Sequence, residues 1–384
     1  MLNNHIYLDY NATTPMHSEV IEAMLPYFTQ HFGNPASKTH AHGWLAAEAI
    51  DIARERVAKL IGSEKDEIIF TSGATESLNI AIQGLAKAYE SKGKHIVTLT
   101  TEHKAVLDIC GYLEKNGWEI TYLPVDSDGY PDELVVRNSF REDTVAFIGM
   151  LANNESGRIL PLQKYAQFAK EKGVIVICDA TQAIGKIPVD VNLLNVDLLA
   201  LSGHKIYGPK GIGALFIRRK NPRVKLVPIV FGGGHERGLR PGTPATPLIV
   251  GLGKASEIMS NNLIERHSQL AKSRDLFESE LLKLEGVCLL IRDENRLPNT
   301  SNICIEGIRA DKLFPQVPLL SFSSGSACSS ALPEPSHVLL AMGLNEDDAY
   351  TSIRISTGIY TSTKEAIAAA SSISEAVRKL RQVL

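Results

Sequence analysis

Several features that mark whole protein classes are missing from this chain. Its 384 residues hold five cysteines, Cys110, Cys178, Cys288, Cys304 and Cys328, with no C-x-x-C pair. That count and spacing argue against a disulfide framework and against a zinc cluster, and no metal site is expected. No apolar run reaches the roughly 18 to 20 residues a membrane span needs. The opening stretch "MLNNHIYLDYNATTP" has no basic segment leading into an apolar one, so no secretory leader is expected and the cytoplasm is the expected compartment. Charge of one sign is not in excess: 40 Lys and Arg face 43 Asp and Glu, for a net charge of -3. A broad basic face for nucleic acid is therefore not expected. Neither the G-x-x-x-x-G-K-[ST] phosphate loop nor an H-E-x-x-H metal motif occurs.

What is present is a large apolar content, 44% of residues, enough for an extensive core and two domains. From about residue 67, short β-branched runs alternate with helical tracts. "EIIF", "KHIVTL", "EITYLPV", "TVAFIGML", "VIVICDA", "DLLALSG" and "GALFIR" are the runs. Such a pattern predicts an α/β fold with a mostly parallel sheet covered by helices. "PLQKYAQFAKEKG" illustrates a crossover helix: Pro161 suits its first turn, Leu162, Tyr165, Ala166 and Ala169 share a face, and Gly173 closes its end. After about residue 248 a long helical stretch runs to about Leu284. Strand-like "VCLLIR", "NICIEG" and "SIRIST" follow, and "STKE" opens the last helix with a capping box of Ser362 and Glu365. The expected division is a large domain of 14–257 and a smaller α+β domain of 1–13 with 258–384. Cys110, Cys178, Cys288 and Cys304 lie in apolar settings and are expected to be small buried hydrophobes. Cys328 alone lies in a small, polar stretch, "SSGSACSS".

In an open parallel sheet, ligands sit beyond the carboxyl ends of the strands. That rule selects His103 after "HIVTL", Asn154 after "VAFIGML", Asp179 and Gln182 after "VIVIC", and Ser202, His204 and Lys205 after "DLLAL". It also selects the turn "TSGATES", which opens a helix. Each has a plainer reading. Ser72 or Thr75 could merely cap that helix, a strand-end histidine is often structural, and most lysines are solvated. Asp179 resists dismissal, because a buried carboxylate without a partner costs several kcal/mol. One chemistry uses the whole set. Pyridoxal phosphate needs a lysine for its Schiff base, a carboxylate for its ring nitrogen and a phosphate cradle at a helix N-terminus.

Eight stretches, "NATTP", "FGNPAS", "FTSGATES", "TEHKAV", "DATQAIGK", "SGHKIYGPKGIG", "GGGHERGLRPGT" and "SSGSACSS", resemble in order the signatures of the cysteine desulfurases of the NifS/IscS type. The match runs from about Tyr7 to Thr357. The resemblance implies a fold-type I, pyridoxal-phosphate-dependent enzyme that converts L-cysteine to L-alanine and keeps the sulfur as a persulfide. It makes Lys205 the cofactor-bearing lysine, Asp179 the partner of the ring nitrogen, and Gln182 a donor to the cofactor's phenolic oxygen. His103 becomes the imidazole stacked on the ring and an acid–base assistant. Ala74, Thr75, Ser202 and His204 become phosphate-binding positions, with Thr243 reaching across from the second subunit of a homodimer. Asn154 lies near ring and substrate, Arg354 clamps the substrate carboxylate, and Asn34 helps there. Cys328 becomes the sulfur-accepting nucleophile on a mobile loop of about 321–333.

The implied partners are sulfur-acceptor proteins of iron–sulfur cluster assembly or thiolation, with no direct nucleic acid and no membrane. "RPGT" in place of the more usual "RSGT" puts Pro241 in the Thr243 loop, which stiffens it. The chain ends at "RKLRQVL", without the tail by which some relatives dock an iron–sulfur scaffold, so that docking stays open. Two other readings stay open at this point: a selenocysteine lyase on the same scaffold, and a non-catalytic sulfur-relay or scaffold protein.

Overall fold

Runs such as Ile175–Asp179 and Leu198–Ser202 are buried at every position, as strands covered on both faces must be. The computed structural model, which describes residues 5–324 and 334–383, assembles seven of them into one sheet. The spatial order is Ile68–Thr71, Gly213–Ile217, Leu198–Ser202, Ile175–Asp179, Thr144–Met150, His95–Leu99, Glu119–Leu123. The last five are mutually parallel. Gly213–Ile217 is antiparallel to both neighbours. Its reversal follows from the link 203–212, shorter than the dozen or so residues of a parallel crossover.

Alternation along each strand sorts side chains into two cores. Val97, Phe147, Val176, Cys178, Leu199 and Phe216 face one way. Ile96, Ile148, Ile177, Leu198, Ala200 and Leu215 face the other. The crossover helix is Leu162–Glu171 and buries Leu162, Tyr165, Ala166 and Ala169, with Gly173 at φ 66° beyond its end. Gly213 marks the tightest approach in the sheet. A Cβ there would lie 2.5 Å from the Leu201 carbonyl oxygen and 2.7 Å from Gly73 Cα. Both obstacles are backbone, so Gly213→Ala is expected to cost about 1–3 kcal/mol, read as a lower denaturant midpoint at unchanged m-value.

The helical stretch expected to run unbroken to about Leu284 is two helices, Thr246–Ser260 and Leu263–Leu281. Asn262 breaks them at φ 54°, a left-handed conformation that asparagine adopts more readily than most residues. A second, antiparallel sheet has the order Ser352–Ser356, Thr300–Ile305, Val287–Leu289. It packs with Leu8, Phe277, Leu281, Ile373 and Val377 in a third core. The Ser362–Glu365 capping box is formed, each side chain taking the other's backbone amide, at 2.8 and 3.2 Å.

Cys110 and Cys178 are buried as expected, whereas Cys288 is exposed and Cys304 half-buried. Val287–Leu289 is an edge strand whose Val287 and Leu289 take the core side, so alternation turns Cys288 outward. Cys328 lies outside the described residues. Among those described, no helix is long and apolar enough to cross a membrane.

Candidate active site

The carboxyl ends of the parallel strands meet the N-terminal segment 9–14 and the second sheet. Lys205 sits in the short turn Gly203–Lys205 that follows Leu198–Ser202. Its Nζ donates to the carbonyls of Asn11 at 2.5 Å and Ala12 at 2.7 Å. Gln182 donates from Nε2 to the same Asn11 carbonyl at 2.9 Å. Asp179 ends its strand 4% exposed, and its Oδ1 accepts the Thr181 amide at 2.9 Å.

His103 caps the helix Lys104–Lys115, its Nδ1 accepting the Ala105 amide at 3.1 Å. That bond leaves Nε2 as the protonated nitrogen of the neutral ring. Burial holds this imidazole below its ordinary range, with Asp179 raising it and Lys205 lowering it further. His103 is therefore a neutral base at neutral pH. His204 is pushed down to about 4 by burial and then by Lys205 and Lys210, and its Nδ1 pairs with Thr13 Oγ1 at 3.1 Å.

Arg354, on the second sheet, is 2% exposed. Its Nη1 donates to the Asn154 carbonyl at 3.0 Å and its Nη2 to Asp9 Oδ1 at 2.7 Å, while its buried Nε has no hydrogen-bond partner among the described residues. A buried, planar donor with capacity to spare suits a small carboxylate.

The helix Ala74–Tyr89 opens at Gly73 with no side-chain cap. The capping role open to Ser72 and Thr75 is thus not taken, and the first-turn amides keep room for an anion. Ser202 belongs here: its Oγ would lie 3.7 Å from a Cβ built on Gly73. Two predicted residues stand apart. Asn34 is exposed and its side chain bonds only its own turn, through Ala36 at 2.9 Å. Thr243 is exposed, and among the described residues neither it nor Asn34 hydrogen-bonds another site residue.

Four contributors carry no role in the sequence reading. Asn11 joins the sheets, donating from Nδ2 to the Asn154 carbonyl and Thr300 Oγ1 and from its backbone to Ser356 Oγ. Asp9 pairs with Arg354. Lys186 is buried beside Gln182. Glu102 is fully buried, and burial drives its carboxyl well above the carboxylate range against the Met150 amide that it accepts. Asn11, Glu102 and Lys186 lie inside quoted motifs, and the four-residue step from Gln182 to Lys186 is the one spacing signal the sequence offered.

The donor set fits pyridoxal phosphate: a half-buried lysine, a buried carboxylate whose Oδ2 takes no hydrogen bond among the described residues, and an uncapped helix N-terminus beside a serine hydroxyl. It is the set of a cofactor-dependent transferase. Residues 6–368 match the aminotransferase class-V family model, and the chain belongs to that family. It is 49% identical over 382 residues to cysteine desulfurase IscS of Anaeromyxobacter dehalogenans (strain 2CP-C), covering 98% of this chain and 94% of that protein. A solved NifS-like protein superposes with TM-score 0.90 at 36% identity, over 98% of this chain and 99% of that one. The structure of SspA in complex with cysteine gives 0.82 at 37% identity, over 93% and 99%. Within the family, the chain's group is that of the NifS/IscS-type cysteine desulfurases.

Proposed function

We propose that this chain is a cysteine desulfurase that converts L-cysteine to L-alanine and keeps the sulfur on Cys328 as a persulfide. The observation that carries the reading is the convergence of Lys205, Gln182 and Arg354 on one hydrogen-bonded frame around Asn11 and Asn154, with the buried Asp179 three residues before Gln182 at the end of its strand. Lys205 would hold pyridoxal phosphate as a Schiff base, Asp179 its ring nitrogen, Gln182 its phenolic oxygen and His103 its ring face. Ala74, Thr75, Ser202 and His204 would hold its phosphate. When bound, the cofactor supplies an electron sink for charge developing at the substrate α-carbon.

The remaining work falls to the chain itself. Arg354 binds the substrate carboxylate and fixes which end of cysteine faces Lys205, with Asn154 beside it. Lys205 Nζ, once substrate has taken its place, removes the α-proton. His103, a neutral imidazole at neutral pH, assists proton transfer beside Lys205. The Cys328 thiolate attacks the substrate sulfur, the C–S bond pair stays on the three-carbon fragment, and that fragment takes up protons to leave as L-alanine. The persulfide then passes to an acceptor protein of iron–sulfur cluster assembly or thiolation.

We place Thr243 at the phosphate of a second copy. Its exposure supports this, as do the exposed apolar side chains of Leu25, Phe28, Phe32, Trp44 and Phe231. The functional test is alanine formation from L-cysteine by cofactor-loaded protein, with sulfide released when a reducing thiol is added to reduce the persulfide; the absence of both would overturn the reading. Asp179→Asn preserves shape and removes charge. It should lower kcat about 10²-fold or more at saturating cofactor, measured as alanine formed per loaded site.

A further inference from the structure

Lys186 is 7% exposed, and no ion pair joins it to a carboxylate among the described residues. Its Nζ donates to Gln182 Oε1 at 2.6 Å and to Asn11 Oδ1 at 3.0 Å. It lines a small cavity of about 10 Å³ together with Lys205, Arg266, Asn299 and Thr357 and no acidic residue. An ammonium confined there without a counter-charge costs several kcal/mol. Burial first, then Lys205 and Arg354, pull Lys186 well below the usual lysine range. A neutral amine still carries two hydrogens, and the two acceptors in reach take both.

The consequence falls on Gln182. A glutamine amide can turn over and exchange its oxygen with its NH2 group at no cost in shape. Here the turned amide would set NH2 against the Lys186 hydrogens and oxygen against the Asn11 carbonyl, which is the acceptor of Gln182 Nε2 at 2.9 Å and Lys205 Nζ at 2.5 Å. The Asn11 contact would become repulsive, and the Lys186 hydrogen that Oε1 had accepted would be left without its acceptor. Asn11 Oδ1, the other acceptor of Lys186, is itself held by Asn299 Nδ2 at 3.1 Å.

We infer that Lys186 is a positioning residue: by occupying Gln182 Oε1 it holds the NH2 end of that amide toward Lys205 and the cofactor's phenolic oxygen. The inference rests on the proposed function and adds to it the group that sets the polarity of Gln182. It acts through Gln182 and touches neither substrate nor cofactor.

The test needs no turnover. The lysine-linked cofactor has a visible band whose titration midpoint reports hydrogen bonding at its phenolic oxygen. Gln182→Leu should move that midpoint by roughly one pH unit, the worth of one hydrogen bond. Lys186→Met should move it in the same direction, and the double variant should match Gln182→Leu alone. Lys186→Gln keeps an N–H donor and should titrate like the unaltered protein. A Lys186→Met midpoint unchanged, or a double variant whose shifts add, overturns the inference. So does a Lys186→Gln shift as large as that of Gln182→Leu, whether or not Lys186→Met folds. An unaltered protein with no lysine-linked band overturns instead the functional reading beneath it.

Discussion

Lys205→Ala should lose the lysine-linked cofactor band and, at saturating pyridoxal phosphate, lose at least about 10³-fold in alanine formation, within the range for removing an acid–base group. Two roles vanish together, the covalent anchor and the base for the α-proton, so an added amine can restore only part of the rate. The fold should survive. Of the two carbonyls that Lys205 serves, Asn11 keeps the Gln182 donor. Ala12 is half-buried and can turn to water. A loss near 1 kcal/mol is the expected stability cost, so circular dichroism should show native secondary structure. Turnover retained in a folded, bandless protein would contradict the role given to Lys205.

The strand-end rule selects Asp179, Lys205, His103 and Ser202 because each ends its strand or follows within a few residues, so local sequence fixes where it emerges. It could not see Asn11. That residue sits in a short polar turn, and its partners Lys186, Thr300 and Ser356 are 175, 289 and 345 positions away. Nothing local distinguishes such a hub from an ordinary loop asparagine. Lys186 was hidden for a related reason: a lysine reads as solvated until tertiary packing buries it. The reversal of Gly213–Ile217 was legible in principle, from the length of the link before it, but strand composition alone gives no direction. The Asn262 break was missed because the apolar pattern resumes on its far side. Thr243 remains exposed in the single chain, as a residue that works across a subunit boundary would be, and Asn34 is exposed too.

Cys328→Ser should separate the two halves of the reaction. The cofactor band should be normal and L-cysteine should still perturb it, because Lys205, Asp179 and Arg354 are untouched. Alanine formation from cysteine should fall at least roughly 10³-fold, the scale of losing an enzyme's nucleophile, and no protein-bound persulfide should be trapped by an alkylating probe. The flanks of the loop support the assignment. On one side Ser323 pairs through its backbone with Arg354, at 2.6 and 3.2 Å, so the chain departs from beside the carboxylate anchor. On the other, Ser336 Oγ donates to Glu155 at 2.5 Å and His337 bonds the Glu102 carbonyl at 2.9 Å, next to His103. Both ends are thus fastened to the site wall. Cys328 lies five positions beyond Ser323, a chain length of at most about 18 Å. The same variant decides between chemistries. A selenocysteine lyase needs no thiol to break the weaker carbon–selenium bond, so full activity toward selenocysteine, with cysteine turnover equally unaffected, would place this chain among such lyases. Loss confined to cysteine places the sulfur on Cys328.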